Sequence, residues 1–546
     1  MTTIQLTESH FPIQDDEVVR DTTVGGLLRE TAATHPDLTA LVEIDMTGEP
    51  GRDWTYRALL AEAEALALAL STRFAPGERV CVWAPNAPEW VVLEYACGLA
   101  GLALVTANPA YQEPELRYVL EQSSSAGLFL TRTHRGNPMW EIASRAAAGL
   151  AGLREVTDIE DPTALGARGT RPEGLPEVQA DAAAQIQYTS GTTGFPKGAV
   201  LSHRGMTNSA RFYIQRLQAR PGCAMSVTVP LFHTSGCAAG VLGSVQAPAT
   251  LHLFRVFDPK AYLKAAERAR FFMIGGVPTM VNAMLGVLEA EPHDLGSIET
   301  CACGGSAVQP QLVRAMHDTL GCGVQTIYGQ TEFSPLIAMH ERDEALEDVV
   351  GTVGRPIPQT EVVIRDPRTR AVKPLGEVGE ICVRGYGTMI GYNDNPEATA
   401  ATVDPEGWLL TGDLGTMDAR GYLSVTGRVK EMIIRGGENL FPAEIEAVLQ
   451  DHPDVAEVAV VGLPDDHWGE IVAAFIRPEA GAALDPAELK AHCRRSLAAV
   501  KSPAVWCRVD RFPMTANGKI RKFELRDRFT RGELTQLPAP KPVGAA

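Results

Sequence analysis

Tyr188-Thr189-Ser190-Gly191-Thr192-Thr193-Gly194-Phe195-Pro196-Lys197-Gly198 places three glycines, four Ser/Thr hydroxyls and a lysine within eleven residues. It follows the alternating run Ala184-Gln185-Ile186-Gln187-Tyr188, which predicts a strand. Glycines let backbone amides approach a ligand closely, and Ser/Thr hydroxyls add donors, so the loop suits a polyphosphate. It is not the common P-loop, in which Ser or Thr follows the Gly-Lys pair; here Gly198 and Ala199 follow Lys197. A plain Gly/Ser/Thr linker would lack both the Pro196-Lys197 pair and the preceding strand.

The chain has 546 residues, enough for roughly three to five structural units. Hydrophobic residues make up 45% and charged residues 21%, an ordinary balance for a well-buried enzyme. A formal net charge of −18 argues against non-specific binding to nucleic acid or anionic membranes. The ten cysteines show no zinc or disulfide spacing, which predicts reduced thiols. The first thirty residues carry acids and no apolar core of a secretory signal. The longest apolar run, residues 95–105, falls short of the ~18 residues that span a bilayer. These features together predict a cytoplasmic enzyme without a transmembrane segment.

Alternation runs through the N-terminal part: strand 79–84, helix 87–101, strand 102–106, helix 113–122 and strand 126–131. Such alternation predicts parallel sheet with crossover helices. Residues 135–177 are richer in Gly, Pro and charge and read as surface connections, whereas 351–422 read as short strands of a barrel-like subregion. Composition shifts again at Gly427-Arg428-Val429-Lys430, followed by an amphipathic helix at 442–450 and strands at 455–461 and 472–477. The fold class is therefore α/β, with a large N-terminal domain (1–428) and a small α+β C-terminal domain (429–546). The Pro/Ala/Gly-rich end, 538–546, reads as disordered.

Five further motifs follow the phosphate loop in order: Tyr328-Gly329-Gln330-Thr331-Glu332, Thr411-Gly412-Asp413, Gly427-Arg428-Val429-Lys430, Gly436-Gly437-Glu438-Asn439 and Pro513-Met514-Thr515-Ala516-Asn517-Gly518-Lys519-Ile520. A carboxylate at a tight turn, such as Asp413, can accept both hydrogen bonds of a vicinal diol. It can equally close an Asx-turn at a strand end. In order and spacing, over about residues 24–529, the set resembles the acyl-adenylate-forming superfamily, with details most like its short- to medium-chain fatty acyl-CoA synthetases.

The resemblance implies ATP, Mg²⁺ and CoA as the small-molecule set, with a carboxylic acid as the group activated. It implies phosphate binding by Thr189, Ser190, Gly191, Thr192, Thr193, Gly194 and Lys197, with Thr189 also counted as catalytic. Glu332 is implied to hold the metal, which offsets repulsion between the attacking carboxylate and the α-phosphate. Gly304, Gly305, Ser306, Tyr328, Gly329, Thr331, Asp413 and Arg428 are implied around the nucleotide, with the Tyr328 ring on adenine and Asp413 on ribose. Lys430 falls at the hinge between domains, Gly436 and Gly437 beside the thiol tunnel, and Lys519 at the catalytic cation of the terminal motif. Val500 departs from the family, whose members often have an aromatic residue there.

The acyl pocket is implied to take His233, Gly236, Val277 and Gly329. His233 is read either as a gate or as a packed core histidine. The small residues 235–240 either leave room for an apolar chain or form a tight packing face. No arginine or lysine lies in segments 230–240, 277–280 or 303–306, which disfavours a dicarboxylate, and no aspartate near Cys237 would pair an amino acid's ammonium. The expected activity is ATP-dependent acyl-CoA synthesis through an acyl-adenylate. Its rivals are an adenylate ligase that loads a carrier protein or an amine, and a relative that has lost one half-reaction. A homodimer is an open expectation.

Overall fold

A computed structural model describes residues 4–14, 16–166, 173–189, 196–436, 438–514 and 520–538. Its first large sheet has seven strands in the order Gly391–Tyr392, Lys197–Ser202, Ala183–Thr189, Ala103–Thr106, Arg79–Trp83, Gly127–Leu130 and Glu155–Asp158. The strands from Ala183–Thr189 to Glu155–Asp158 are parallel, and the remaining two run antiparallel. Crossover helices Pro88–Ala100 and Glu113–Gln122 match the sequence pattern. In Pro88–Ala100 every residue except Glu89 is buried, because helices Val24–Thr34 and Tyr56–Leu70 cover what the sheet does not.

The described residues of 135–177 hold more regular structure than the composition of the stretch suggests. Helix Met139–Ala147 and edge strand Glu155–Asp158 lie within them. Met139, Ile142, Ala143 and Ala146 share the buried face of that helix, a 3.6-residue period hidden in so short a stretch by charged neighbours.

A second sheet runs Met273–Gly276, Thr300–Gly304, Gly323–Gly329, Leu336–Met339 and Arg355–Pro356, its first three strands parallel. The β-rich stretch forms an antiparallel sheet of His10–Phe11, Thr360–Arg365, Gly379–Gly385, Leu409–Met417 and Leu423–Arg428, a path with two edges among the described residues. Helix Pro396–Thr402, started by the Asn395 side chain accepting from the Ala398 N–H, interrupts it. The small C-terminal domain builds a six-stranded sheet centred on Gly469–Pro478 and packs helices Pro442–Gln450 and Pro486–Ser496 around Val458, Val460, Ile476 and Trp506. Among the described residues no helix is long and apolar enough to cross a membrane.

The antiparallel edge of the seven-stranded sheet is bolted by Gln122 and Asn393. The Gln122 amide donates to the Asn393 carbonyl at 2.6 Å, the Asn393 amide returns a bond to the Gln122 carbonyl at 2.7 Å, and the Tyr188 hydroxyl meets Gln122 Oε1 at 2.5 Å. Asn393→Ala leaves the half-buried Gln122 main-chain carbonyl without this donor and is expected to cost about 1 kcal/mol. Urea unfolding should show a lower midpoint; an unchanged midpoint would show that the bolt carries no stability.

Candidate functional site

Thr189 and Lys197 are paired across the hairpin that bears the phosphate loop, with Tyr188 opposite Gly198. Ser190, Gly191, Thr192, Thr193 and Gly194 lie outside the described residues, as do Gly437 and Lys519. Both ends of the loop are held. The Thr189 hydroxyl donates to the Lys197 carbonyl at 3.5 Å, and the Tyr118 hydroxyl to the Pro196 carbonyl at 2.9 Å. The Lys197 ammonium stands 4.9 Å from the centre of the Tyr392 ring.

The second sheet supplies another wall. Its parallel strands end at Gly276, Gly304 and Gly329, and the carboxyl ends of parallel strands are where open α/β sheets take ligands. Gly305 and Ser306 are exposed at that edge, and Val277 is so near that a Cβ on Gly305 would sit 3.3 Å from its Cγ1. Gly329 admits no side chain at all: its Cβ would lie 1.9 Å from the Pro335 carbonyl oxygen. The strand bulges there and delivers the turn Thr331–Phe333. From that turn Glu332 accepts the Tyr392 hydroxyl at 2.7 Å, and its backbone carbonyl accepts the Met389 N–H at 2.8 Å.

Asp413 is the meeting point of three motifs. It is paired in register with Arg428, whose Nε stands 2.8 Å from one carboxylate oxygen, while the Tyr328 hydroxyl donates to the other at 3.0 Å. The Thr411 hydroxyl accepts the Asp413 N–H at 3.0 Å and donates to the Ile381 carbonyl at 2.6 Å, which orients the carboxylate. Asp413 raises the Arg428 pKa, and burial, followed by Asp413, pushes the Tyr328 phenol well up. Tyr328 therefore stays a donor. Its ring is 8% exposed and packs with Phe333, Ile337 and Val362. Each carboxylate oxygen of Asp413 has a second lone pair for a diol hydroxyl.

Residues Ser235–Leu242 wind as a wide π-helix, and a Cβ on Gly236 would meet the Pro230 carbonyl oxygen at 2.3 Å. Gly240 is held equally close to Val227. The small residues at these two positions form a packing face. His233 is half-buried, its ring 4.2 Å from that of Phe232, and its carbonyl accepts the Gly236 N–H at 2.9 Å.

Sequence reading misses several groups. Beneath the His233 helix lies a buried polar chain. The Gln185 amide donates to Glu94 at 2.6 Å, and the Gln187 amide reaches Gln185 Oε1 at 2.8 Å and Cys237 Sγ at 3.1 Å. Burial pushes the Glu94 carboxyl well up, against the hydrogen bond from Gln185. Alternation along strand Ala183–Thr189 puts Gln185, Gln187 and Thr189 on one face, a signal present in the sequence. Tyr392 carried no such signal. In the small domain, Lys430 lies in the single turn Val429–Glu431 that follows the last strand of the large domain, and Gly436 donates its N–H to the Trp468 carbonyl at 2.8 Å. Lys522 bridges Glu431 at 2.9 Å and Glu446 at 2.8 Å.

Among the described residues, no group of three His, Cys, Asp or Glu is arranged to hold a metal by itself. Glu332 alone fits a magnesium ion that takes its other ligands from nucleotide phosphates and water.

Comparison with known proteins agrees with this geometry. Residues 28–393 match the AMP-binding enzyme family and residues 444–519 its C-terminal domain. YngI of Bacillus subtilis (strain 168), itself a candidate acyl-CoA synthetase, is 36% identical, covering 93% of this chain and 97% of its own. The human mitochondrial medium-chain acyl-CoA ligase ACSF2 is 34% identical, covering 93% and 88%. The o-succinylbenzoate CoA synthetase MenE of Bacillus subtilis, solved with its acyl-adenylate intermediate, superposes with a TM-score of 0.81 at 29% identity, covering 93% of this chain and 99% of that one. The chain belongs to the AMP-binding enzyme family. Within it the chain falls in the acyl-CoA synthetase branch, whose members are ATP-dependent, AMP-forming acid–thiol ligases.

Asp413→Ala removes the acceptor for a ribose diol and leaves Arg428 without its partner. Losing bonds to a charged acceptor should raise KM for ATP at least about tenfold, with KM for the acid little changed. An unchanged KM for ATP would reduce Asp413 to a structural partner of Arg428 and Tyr328.

Proposed function

We propose that this ligase activates an apolar, short- to medium-chain carboxylic acid. Lys197 and the loop from Thr189 to Gly194 would hold the ATP phosphates, Asp413 and Arg428 the ribose, and Gly304 to Ser306 with Tyr328, Gly329 and Thr331 the nucleoside side. His233, Val277 and Gly329 would line the acyl pocket, with Gly236 setting the position of its helix. The observation that carries the reading is a chain of contacts between separate sheets: Tyr392 touches both Lys197 and Glu332, and Tyr328, four residues before Glu332, donates to Asp413 of the Asp413–Arg428 pair. The medium-chain relatives and the absence of a cation in the pocket segments support an apolar acid.

In the first step a carboxylate oxygen attacks the α-phosphate and pyrophosphate leaves, forming a mixed anhydride. Magnesium, when bound, offsets charge between the phosphates and the incoming carboxylate. Glu332 would orient on that ion, and Lys519 would stabilise the charge that develops at the α-phosphate. In the second step the CoA thiolate attacks the acyl carbon and AMP leaves.

Serving both steps at one site calls for a swing of the small domain, divided from the large at 428/429, about Lys430. Lys519 then withdraws and the Gly436–Gly437 face replaces it. A cytoplasmic enzyme, self-associating as a homodimer, completes the proposal.

The test is pyrophosphate release with a panel of straight-chain, aromatic and dicarboxylic acids, with and without CoA. Apolar acids should give about one enzyme equivalent of pyrophosphate without CoA and sustained release with it. Sustained release that ignores CoA but follows an added amine would replace the acceptor. Lys519→Ala should slow adenylation at least about 100-fold while sparing thioester formation from supplied acyl-adenylate. Equal loss in both steps would contradict domain alternation. Gly437→Leu should show the reverse pattern, keeping pyrophosphate release and losing acyl-CoA; a normal rate of acyl-CoA formation would place the thiol elsewhere.

A further inference from the structure

Tyr392 lies outside all of the site motifs, yet it touches two residues that they supply. It is held there by backbone. Gly391–Tyr392 pairs antiparallel with strand Lys197–Ser202, Tyr392 opposite Ala199, and the Tyr392 N–H donates to the Thr399 hydroxyl at 2.9 Å. Lys197 is two residues before Ala199 and so projects from the same face of its strand. The half-buried Tyr392 ring consequently receives the Lys197 ammonium 4.9 Å from its centre. At the far end of the same side chain, the hydroxyl donates to Glu332 Oε1 at 2.7 Å. Glu332 reaches this position because its own backbone carbonyl accepts the Met389 N–H, three residues before Tyr392.

A lysine and a glutamate in one partly buried site attract each other more strongly than either attracts a neutral phenol. A direct pair would neutralise both. We propose that Tyr392 is a positioning residue for adenylation: its ring face holds Lys197 and its hydroxyl holds Glu332, so that the cation meets nucleotide phosphate and the carboxylate meets the metal. The role rests on the assignment of Glu332 to magnesium and Lys197 to phosphate given above.

The experiment measures Mn²⁺ binding by paramagnetic resonance in the presence of α,β-methylene-ATP, for the full chain and for Tyr392→Phe, Tyr392→Ala and Glu332→Gln. Tyr392→Phe keeps the ring and loses the hydroxyl; Mn²⁺ affinity should fall about tenfold, the usual scale for removing a partner of a metal ligand. Tyr392→Ala should weaken both Mn²⁺ and the nucleotide analogue, because Lys197 and Glu332 can then close on each other. KM for the acid should stay near its native value in Tyr392→Phe, which a general packing defect would not spare. A melting curve accompanies each variant, and Tyr392→Phe carries the test if Tyr392→Ala does not fold. Native Mn²⁺ affinity in Tyr392→Phe, with loss in Glu332→Gln, overturns the role of Tyr392 alone. Native affinity in Glu332→Gln overturns the metal assignment and this role with it.

Discussion

The strand Lys197–Ser202 is the constraint on which the site depends, because it is laddered on both edges. One edge pairs with Ala183–Thr189, which begins the phosphate loop, and the other with Gly391–Tyr392, which reaches Glu332. Backbone ladders leave little freedom, so the loop ends, Lys197 and Tyr392 are placed by sheet geometry. The bolt between Gln122 and Asn393 closes the edge of this arrangement, and Tyr118 holds the loop from the adjoining crossover helix. The precision of the candidate site comes from strands.

Much of this was legible in the chain. Alternating Gln185-Ile186-Gln187-Tyr188 gave the strand, the Pro196-Lys197 pair separated the loop from a linker, and the motif order indicated the family. Other parts could not be read because their cause lies far off in sequence. Strand His10–Phe11 exists only by pairing with Thr360–Arg365, and Tyr392 matters only because Lys197–Ser202 lies beside it. Gly236 presented small size, which fits a wide pocket as well as a crowded one, and its closeness to the Pro230 carbonyl joins residues whose approach the sequence does not display. The helix Met139–Ala147 escaped because four apolar residues carry its whole periodic signal.

The small domain repeats the same economy. The opening turn of helix Pro442–Gln450 directs Glu444 to Lys501, at 2.7 Å for the longer contact, and Glu446 to Lys522 at 2.8 Å. Lys522 also reaches Glu431 beside Lys430, so the helix after the terminal motif and the turn Val429–Glu431 are tied to helix Pro442–Gln450. Gln311 on the large domain donates to Asp451 just past that helix at 2.7 Å. An exposed side-chain bond of this kind is weak, which suits the proposed swing of the small domain.

The central claim is that a carboxylate oxygen attacks the α-phosphate before the thiol arrives. An acid labelled with ¹⁸O at both carboxylate oxygens, turned over with ATP and CoA and analysed by mass spectrometry, tests it directly. Thiolysis breaks the bond between the acyl carbon and the bridging oxygen, so AMP should carry a single ¹⁸O and the thioester carbonyl the other. Unlabelled AMP formed alongside labelled phosphate or pyrophosphate would contradict attack at the α-phosphate and, with it, the assignment of this site.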